Sequence, residues 1–167
     1  MPAPTNESGL TLRSATADDA DVMHEMIMAM AREAGAGGRV SSSADDFRRF
    51  GFAGAPCFYA LIAEREKRPV GLCIYFFSFS TWRGTRGVYV QDIYVMESER
   101  GGALARRLIA ETARRAGKQG ARFLRLSVDR KNAAARRFYA KLGIQHAASE
   151  CIYMASGDDF EALKGLE

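Results

Sequence analysis

The stretch best equipped for chemistry is Asp92-Ile93-Tyr94-Val95-Met96-Glu97-Ser98-Glu99-Arg100-Gly101-Gly102-Ala103-Leu104-Ala105-Arg106. Its first residues are apolar and strand-like, a loop of small residues follows, and an amphipathic helix opens out of that loop. Small residues let backbone N–H groups come close to a diphosphate, and a helix N-terminus adds partial positive charge. The loop therefore reads as a phosphate-binding turn. It lacks the lysine and serine/threonine ending of a nucleoside-triphosphate loop. A dinucleotide-binding Rossmann turn fails on spacing, and on position too, because the segment follows the fourth apparent strand.

The surrounding charge fits an anionic ligand. The net charge is +4, and Arg100, Arg106, Arg107, Arg114, Arg115, Lys118, Arg122, Arg125, Arg130, Lys131, Arg136, Arg137 and Lys141 all fall between residues 100 and 141. Nucleic acid or a phosphate-bearing small molecule would suit such a cluster; so would two helices with solvated basic faces. The aromatic residues sit in core strands rather than between the basic residues, which argues against nucleic acid.

The elements that must position this loop follow from periodicity. Leu10–Arg13 alternates as a short strand. Thr16-Ala17-Asp18-Asp19 opens a helix whose apolar face is Val22, Met26, Ile27 and Met30, and Gly35–Gly38 ends it. A second helix opens at Ser43-Ala44-Asp45-Asp46. Phe58–Ala63 and Val70–Phe79 read as a hairpin, and Gly87–Met96 as the next strand. The helix after the loop turns Leu104, Leu108 and Ile109 inward. Arg122–Val128 is a strand, Asn132–Leu142 a helix closed by Gly143, Ile144–Ala147 and Cys151–Ala155 two last strands, and Asp158–Leu166 a terminal helix. A meander feeding strand–helix–strand makes a mixed sheet, with a ligand expected where the helix crosses over.

Length and composition set the class. A chain of 167 residues, 47% hydrophobic and 26% charged, suits one globular domain over 1–167, with Met1–Ser8 flexible. The longest apolar stretch, Val70–Trp82, is too short for a membrane helix, and the N-terminus lacks a signal-peptide layout. Cys57, Cys73 and Cys151 have no metal-ligand spacing and read as free thiols, so the expected location is cytoplasmic, with no metal and no membrane or nucleic-acid partner.

Arg100-Gly101-Gly102-Ala103-Leu104-Ala105 resembles the Arg/Gln-x-x-Gly-x-Gly/Ala loop of the Gcn5-related N-acetyltransferase (GNAT) superfamily, with Ala103 in place of the middle glycine. Asn132-Ala133-Ala134-Ala135-Arg136-Arg137-Phe138-Tyr139-Ala140-Lys141-Leu142-Gly143 is similar to that family's asparagine–helix–tyrosine–glycine block. Phe76–Trp82 and Tyr89–Met96 resemble the diamine (spermidine/spermine) acetyltransferase branch, and the likeness runs roughly from Leu10 to Leu166.

The resemblance implies an α/β fold with a central, twisted mixed sheet of about seven strands flanked by helices. It implies acetyl-CoA as cosubstrate, acetyl transfer to a primary amine of a small molecule, and a homodimer. The pantetheine arm would add along Ile93, Tyr94 and Val95. The pyrophosphate would meet Arg100, Gly101, Gly102, Ala103, Leu104, Ala105 and Arg106, and Asn132 would bond the pantetheine side. Tyr139 would be the general acid toward the thiolate leaving group, whose thiol pKa of ~8.5 lies below a phenol's ~10. Tyr139 as a packing aromatic beside Phe138, and Asn132 as only a helix cap, remain open.

The match departs where the amine would sit. The diamine branch has a glutamate where this chain has Gln91 and an aspartate where it has Ser80; Glu33, Asp92 and Trp82 are kept, and Met28 replaces a helix glutamate. Gln91 cannot accept a proton at neutral pH, which leaves Asp92 to orient or deprotonate the amine. Glu33, Trp82 and Gln91 would line the acceptor. With fewer carboxylates the acceptor is expected not to be a polyamine. A non-catalytic acetyl-CoA-binding protein is the alternative reading.

Overall fold

The computed structural model of the protein describes residues 9–166, so the expectation about Met1–Ser8 lies outside the described residues. The chain divides into two compact units, one through Ser127 and one from Val128 onward.

The first unit is a single mixed sheet with helices on both faces. Its strands are β1 (Leu10–Ser14), β2 (Tyr59–Arg65), β3 (Arg68–Ser80), β4 (Thr85–Val95) and β5 (Ala121–Leu126), lying in the order β1-β2-β3-β4-β5. The first three pairings are antiparallel; β2–β3 and β3–β4 are joined by short turns, and β1 reaches β2 through the helical segment between them. The β4–β5 pairing is parallel and needs a crossover, which α3 (Leu104–Lys118) provides. α1 (Ala20–Glu33) follows a short turn at Ala17–Asp19, where the Asp19 carboxylate accepts the Thr16 backbone N–H at 2.7 Å and both Arg13 guanidinium N–H groups at 2.7 Å. α2 (Ala44–Phe47) runs on as a wider turn over Arg48–Phe52.

Alternation along the strands gives each face its own helix. Ile62, Leu72, Ile74 and Tyr94 pack with Ala20, Met23 and Met26 of α1 and with Phe47. The intervening residues face α3: the buried Thr112 hydroxyl donates to Cys73 Sγ at 3.3 Å. Burial pushes the Cys73 thiol up to about 11, so it remains a protonated core group. Gly71 permits the close approach of α3, since a Cβ there would lie 3.3 Å from Leu108 Cδ1 and 3.2 Å from the Tyr94 carbonyl oxygen.

The second unit holds α4 (Ala133–Lys141) and α5 (Asp158–Lys164) and, among its described residues, no strand. The strands expected at Ile144–Ala147 and Cys151–Ala155 are therefore not formed, and the sheet has five strands rather than about seven. Composition alone does not make a strand: a β-prone run needs a neighbour for its backbone groups. Ile152, Tyr153 and Met154 are 78%, 94% and 86% exposed.

Candidate active site

The site begins with an irregularity in β4. Ile74 pairs with Asp92 and Tyr75 with Val90, so Gln91 is an extra residue, a β-bulge. On the opposite edge β5 pairs with β4 only as far as Val90, opposite Leu126 at its own end. Beyond the bulge, among the described residues, β4 therefore has a paired strand on the β3 side alone. The Met96 N–H donates to the Val70 carbonyl on β3 at 3.0 Å. Across the same trans peptide the Val95 carbonyl must point the other way, into the open edge. By alternation the N–H and C=O of Ile93 point there too. This edge can accept one more extended chain.

The loop that follows β4 is held at both ends of its first turn. Glu97–Glu99 forms a single helical turn, and the Glu99 carboxylate accepts two hydrogen bonds from Arg65 of β2, Nε at 2.9 Å and Nη2 at 2.8 Å. The Arg65 guanidinium holds that carboxyl below the usual range. Arg100 donates through Nε to the Val95 carbonyl at 2.8 Å and through Nη2 to Glu33 Oε2 at 2.6 Å. The Tyr94 hydroxyl donates to Glu33 Oε1 at 3.1 Å, and the Arg100 guanidinium carbon lies 5.6 Å from the Tyr94 ring centre.

Gly101 takes φ +80, the left-handed conformation that favours glycine. Ala103 has φ −84 and ψ −3, so alanine fits where the family pattern has glycine. α3 starts at Leu104 with Arg106 and Arg107 in its first turn and no acid there. Cations at that end oppose the helix dipole, an arrangement that an anion at the loop would relieve. Buried Leu104, Leu108 and Ile109 fix the helix to the sheet, and Ala105 is half-buried beside them.

Asp92 is half-buried on the α1 face, the face of its partner Ile74 and of Tyr94. Burial is what raises its carboxyl above the ordinary aspartate range. Gln91 is exposed at the bulge. The structure thus gathers Asp92, Ile93, Tyr94, Val95, Glu33 and Arg100 at one end of β4. Ser80, the last residue of β3, and Trp82, in the β3–β4 turn, lie at the other end; at ~3.3 Å per residue about 23 Å of strand separates Thr85 from Asp92. There Trp82 is 98% exposed, and the Ser80 hydroxyl oxygen accepts the Arg83 N–H at 3.3 Å.

Sequence reading missed the Gln91 bulge and the roles of Arg65 and Glu99. Ion pairs 34 and 67 positions apart leave no periodic signal. In the second unit Asn132 caps α4, its Oδ1 accepting the Ala135 N–H at 2.9 Å. Tyr139 is 9% exposed, and its ring meets Phe138 edge-on at 5.2 Å. Among the described residues no three His, Cys, Asp or Glu side chains are grouped to hold a metal, and no helix is long and apolar enough to cross a membrane.

The chain is similar to known acetyltransferases. Residues 24–144 match the model described as the Acetyltransferase (GNAT) family. A thialysine N-epsilon-acetyltransferase of Mus musculus is 31% identical over 163 residues, spanning 93% of this chain and 95% of that protein. An integron cassette protein from the mobile metagenome of V. cholerae has the same fold, with a TM-score of 0.79, 17% identity, and coverage of 95% of this chain and 99% of that one. An aminoglycoside N-acetyltransferase in complex with CoA superposes with a TM-score of 0.67 at 14% identity, covering 89% of this chain and 95% of that one. With its bulged strand, small-residue loop and crossover helix, the chain belongs to the GNAT family of acetyltransferases.

Proposed function

We propose that this N-acetyltransferase transfers the acetyl group of acetyl-CoA to a primary amine of a small, monocationic or amino-acid-like molecule rather than to a polyamine. The observation that carries the reading is the half-buried carboxylate of Asp92 next to the β4 bulge, with the neutral Gln91 beside it and Glu33 already paired with Arg100. A flexible polycation loses hydration and chain entropy on binding, and several fixed anions would be needed to offset both. The Mus musculus relative named for thialysine, an amino acid with one side-chain amine, supports the same class.

The residues at the loop suit acetyl-CoA. The open edge at Ile93 and Val95 offers N–H and C=O groups to an extended amide-bearing arm, and the Gly101–Arg106 backbone at the α3 N-terminus suits a pyrophosphate. Acetyl-CoA supplies an activated thioester. Asp92 takes the ammonium proton, directly or through water, and orients the freed amine. Its raised carboxyl makes it a better base than an exposed aspartate. Tyr139 gives a proton to the departing thiolate, and Asn132, which caps α4, bonds the pantetheine part of the cosubstrate. Exposed thiols at Cys57 and Cys151 suit a reducing cytoplasm, and the exposed Ile152–Met154 run suits a homodimer. The test is amine-dependent release of free CoA across amino acids, aminoglycosides and polyamines. Acetyl-CoA binding without turnover on any amine would favour a non-catalytic binding protein instead.

A further inference from the structure

Asp92 lies between two tyrosines on the α1 face of β4, and the two have different surroundings. Tyr94 is buried in the core packed on α1, and its hydroxyl is bonded to Glu33. Tyr89, on the other side of the bulge, pairs with Phe76 of β3. Alternation from Ile74 puts Phe76 on the α1 face, and its cross-strand partner Tyr89 shares that face. Neither Phe76 nor Tyr89 joins the α1 core, and both are half-buried. Their rings stack with 4.9 Å between centres and 22° between planes. The Tyr89 hydroxyl lies 2.6 Å from Ser127 Oγ, one residue past the end of β5. The Tyr89 ring is thus fixed from two directions. The two hydroxyls carry two protons and use one between them; neither has another partner among the described residues, so one O–H is left to donate.

From this we infer that Tyr89 is a specificity-determining residue for the amine: its ring, backed by Phe76, bears the amine's stem, and the Tyr89–Ser127 hydroxyl pair donates to an oxygen at the far end of that stem. In the proposed reaction the acetyl donor occupies the Ile93–Val95 side of Asp92. The rest of the amine must then leave on the opposite side, over Tyr89, because Tyr94 is closed into the core. Tyr89 is three residues from Asp92, at most about 10 Å along the strand at ~3.3 Å per residue, a span that a lysine-like molecule covers. The wall favours an amine on an extended apolar stem that ends in a carboxylate, the form of an amino acid with a side-chain amine. This role rests on the proposed acetyl transfer at Asp92 and adds a residue to it.

The experiment uses the full chain as wild type, Tyr89→Leu, and the double variant Tyr89→Phe with Ser127→Ala, which keeps the ring and removes both hydroxyls. Acetyl-CoA affinity is measured by calorimetry and melting without ligand. Thialysine is followed by kcat and KM, and n-pentylamine, an amine on a similar stem without the carboxylate, by turnover or by inhibition. If wild type acetylates neither amine, the functional reading itself fails. If it acetylates thialysine, the wall gives Tyr89→Leu a KM for thialysine at least about tenfold higher, with kcat and acetyl-CoA affinity each changed less than about threefold. The double variant should lower kcat/KM for thialysine about three- to tenfold, the scale of one hydrogen bond, and leave pentylamine within about twofold. Should Tyr89→Leu melt far below wild type, the double variant, whose stack is intact, decides alone. A fall in kcat or acetyl-CoA affinity at unchanged KM overturns the proposal, because the ring would then serve the donor or the strand. So does an unchanged KM in both variants, an equal loss for both amines in the double variant, or a wild type that prefers pentylamine to thialysine.

Discussion

Arg65, the last residue of β2, and Glu99, the last residue of the turn before the small-residue loop, form a two-point ion pair with side chains 26% and 16% exposed. A paired fork of this kind fixes direction as well as distance. It ties the loop to the β2–β3 hairpin on one side, while Arg100 ties it to α1 on the other.

Glu99→Gln should loosen the loop and weaken acetyl-CoA binding by about three- to tenfold, the scale of a partly screened charge pair. The pH dependence has a fixed sign. Arg65 lowers the folded carboxyl below its ordinary value, so the contribution is complete above the unfolded pKa and fades as pH falls through the lower folded one. Calorimetric titrations of wild type and variant at pH 7 and near pH 4 should show the gap closing only on the acid side.

Asp92→Asn should lower kcat/KM by about 10²–10⁴ while melting no lower than wild type at neutral pH. The reason is the raised carboxyl: burial penalises its charged form, so the folded state is less stable once Asp92 ionises. The stabilising effect of protonation is present below the unfolded pKa and is lost as pH rises through the folded one. Activity and melting curves on one preparation separate this from damage to the strand, which would lower both.

Tyr139→Phe keeps the ring that packs against Phe138 and removes only the hydroxyl. Loss of about 10²–10⁴ in kcat with nearly unchanged acetyl-CoA affinity is expected if the phenol protonates the thiolate. Normal turnover would make Tyr139 a packing residue.

The β2–β3 turn tests the local geometry. Glu66 and Lys67 both have positive φ, 50 and 64, in a two-residue turn of the kind that glycine and asparagine favour. Lys67→Gly should stabilise the fold by about 1 kcal/mol, seen as a rise in Tm of roughly 2–4 °C.

Much of this was legible in the residues themselves. The alternation of β2 to β4, the small-residue loop and the Leu104/Leu108/Ile109 face all depend on neighbours a few positions apart, and the structure has them where periodicity puts them. The bulge at Gln91 and the partners of Glu99 and Glu33 depend on which strand lies alongside and on side chains far away in sequence. Glu33 illustrates the difference: its oxygens accept from Tyr94 and Arg100, 61 and 67 positions away, pairings that no local pattern announces. Ile144–Ala147 and Cys151–Ala155 have a strand's composition without a ladder partner, something composition cannot reveal.

The acceptor class is tested most directly by kcat/KM for thialysine, lysine and spermidine with acetyl-CoA, measured on one preparation at neutral pH. With Asp92, among the described residues, the one carboxylate left unpaired beside the bulge, a monoamine of the amino-acid type should exceed spermidine by at least about tenfold, the scale of one missing charge-assisted contact. Equal or greater kcat/KM for spermidine would contradict this account of the acceptor site.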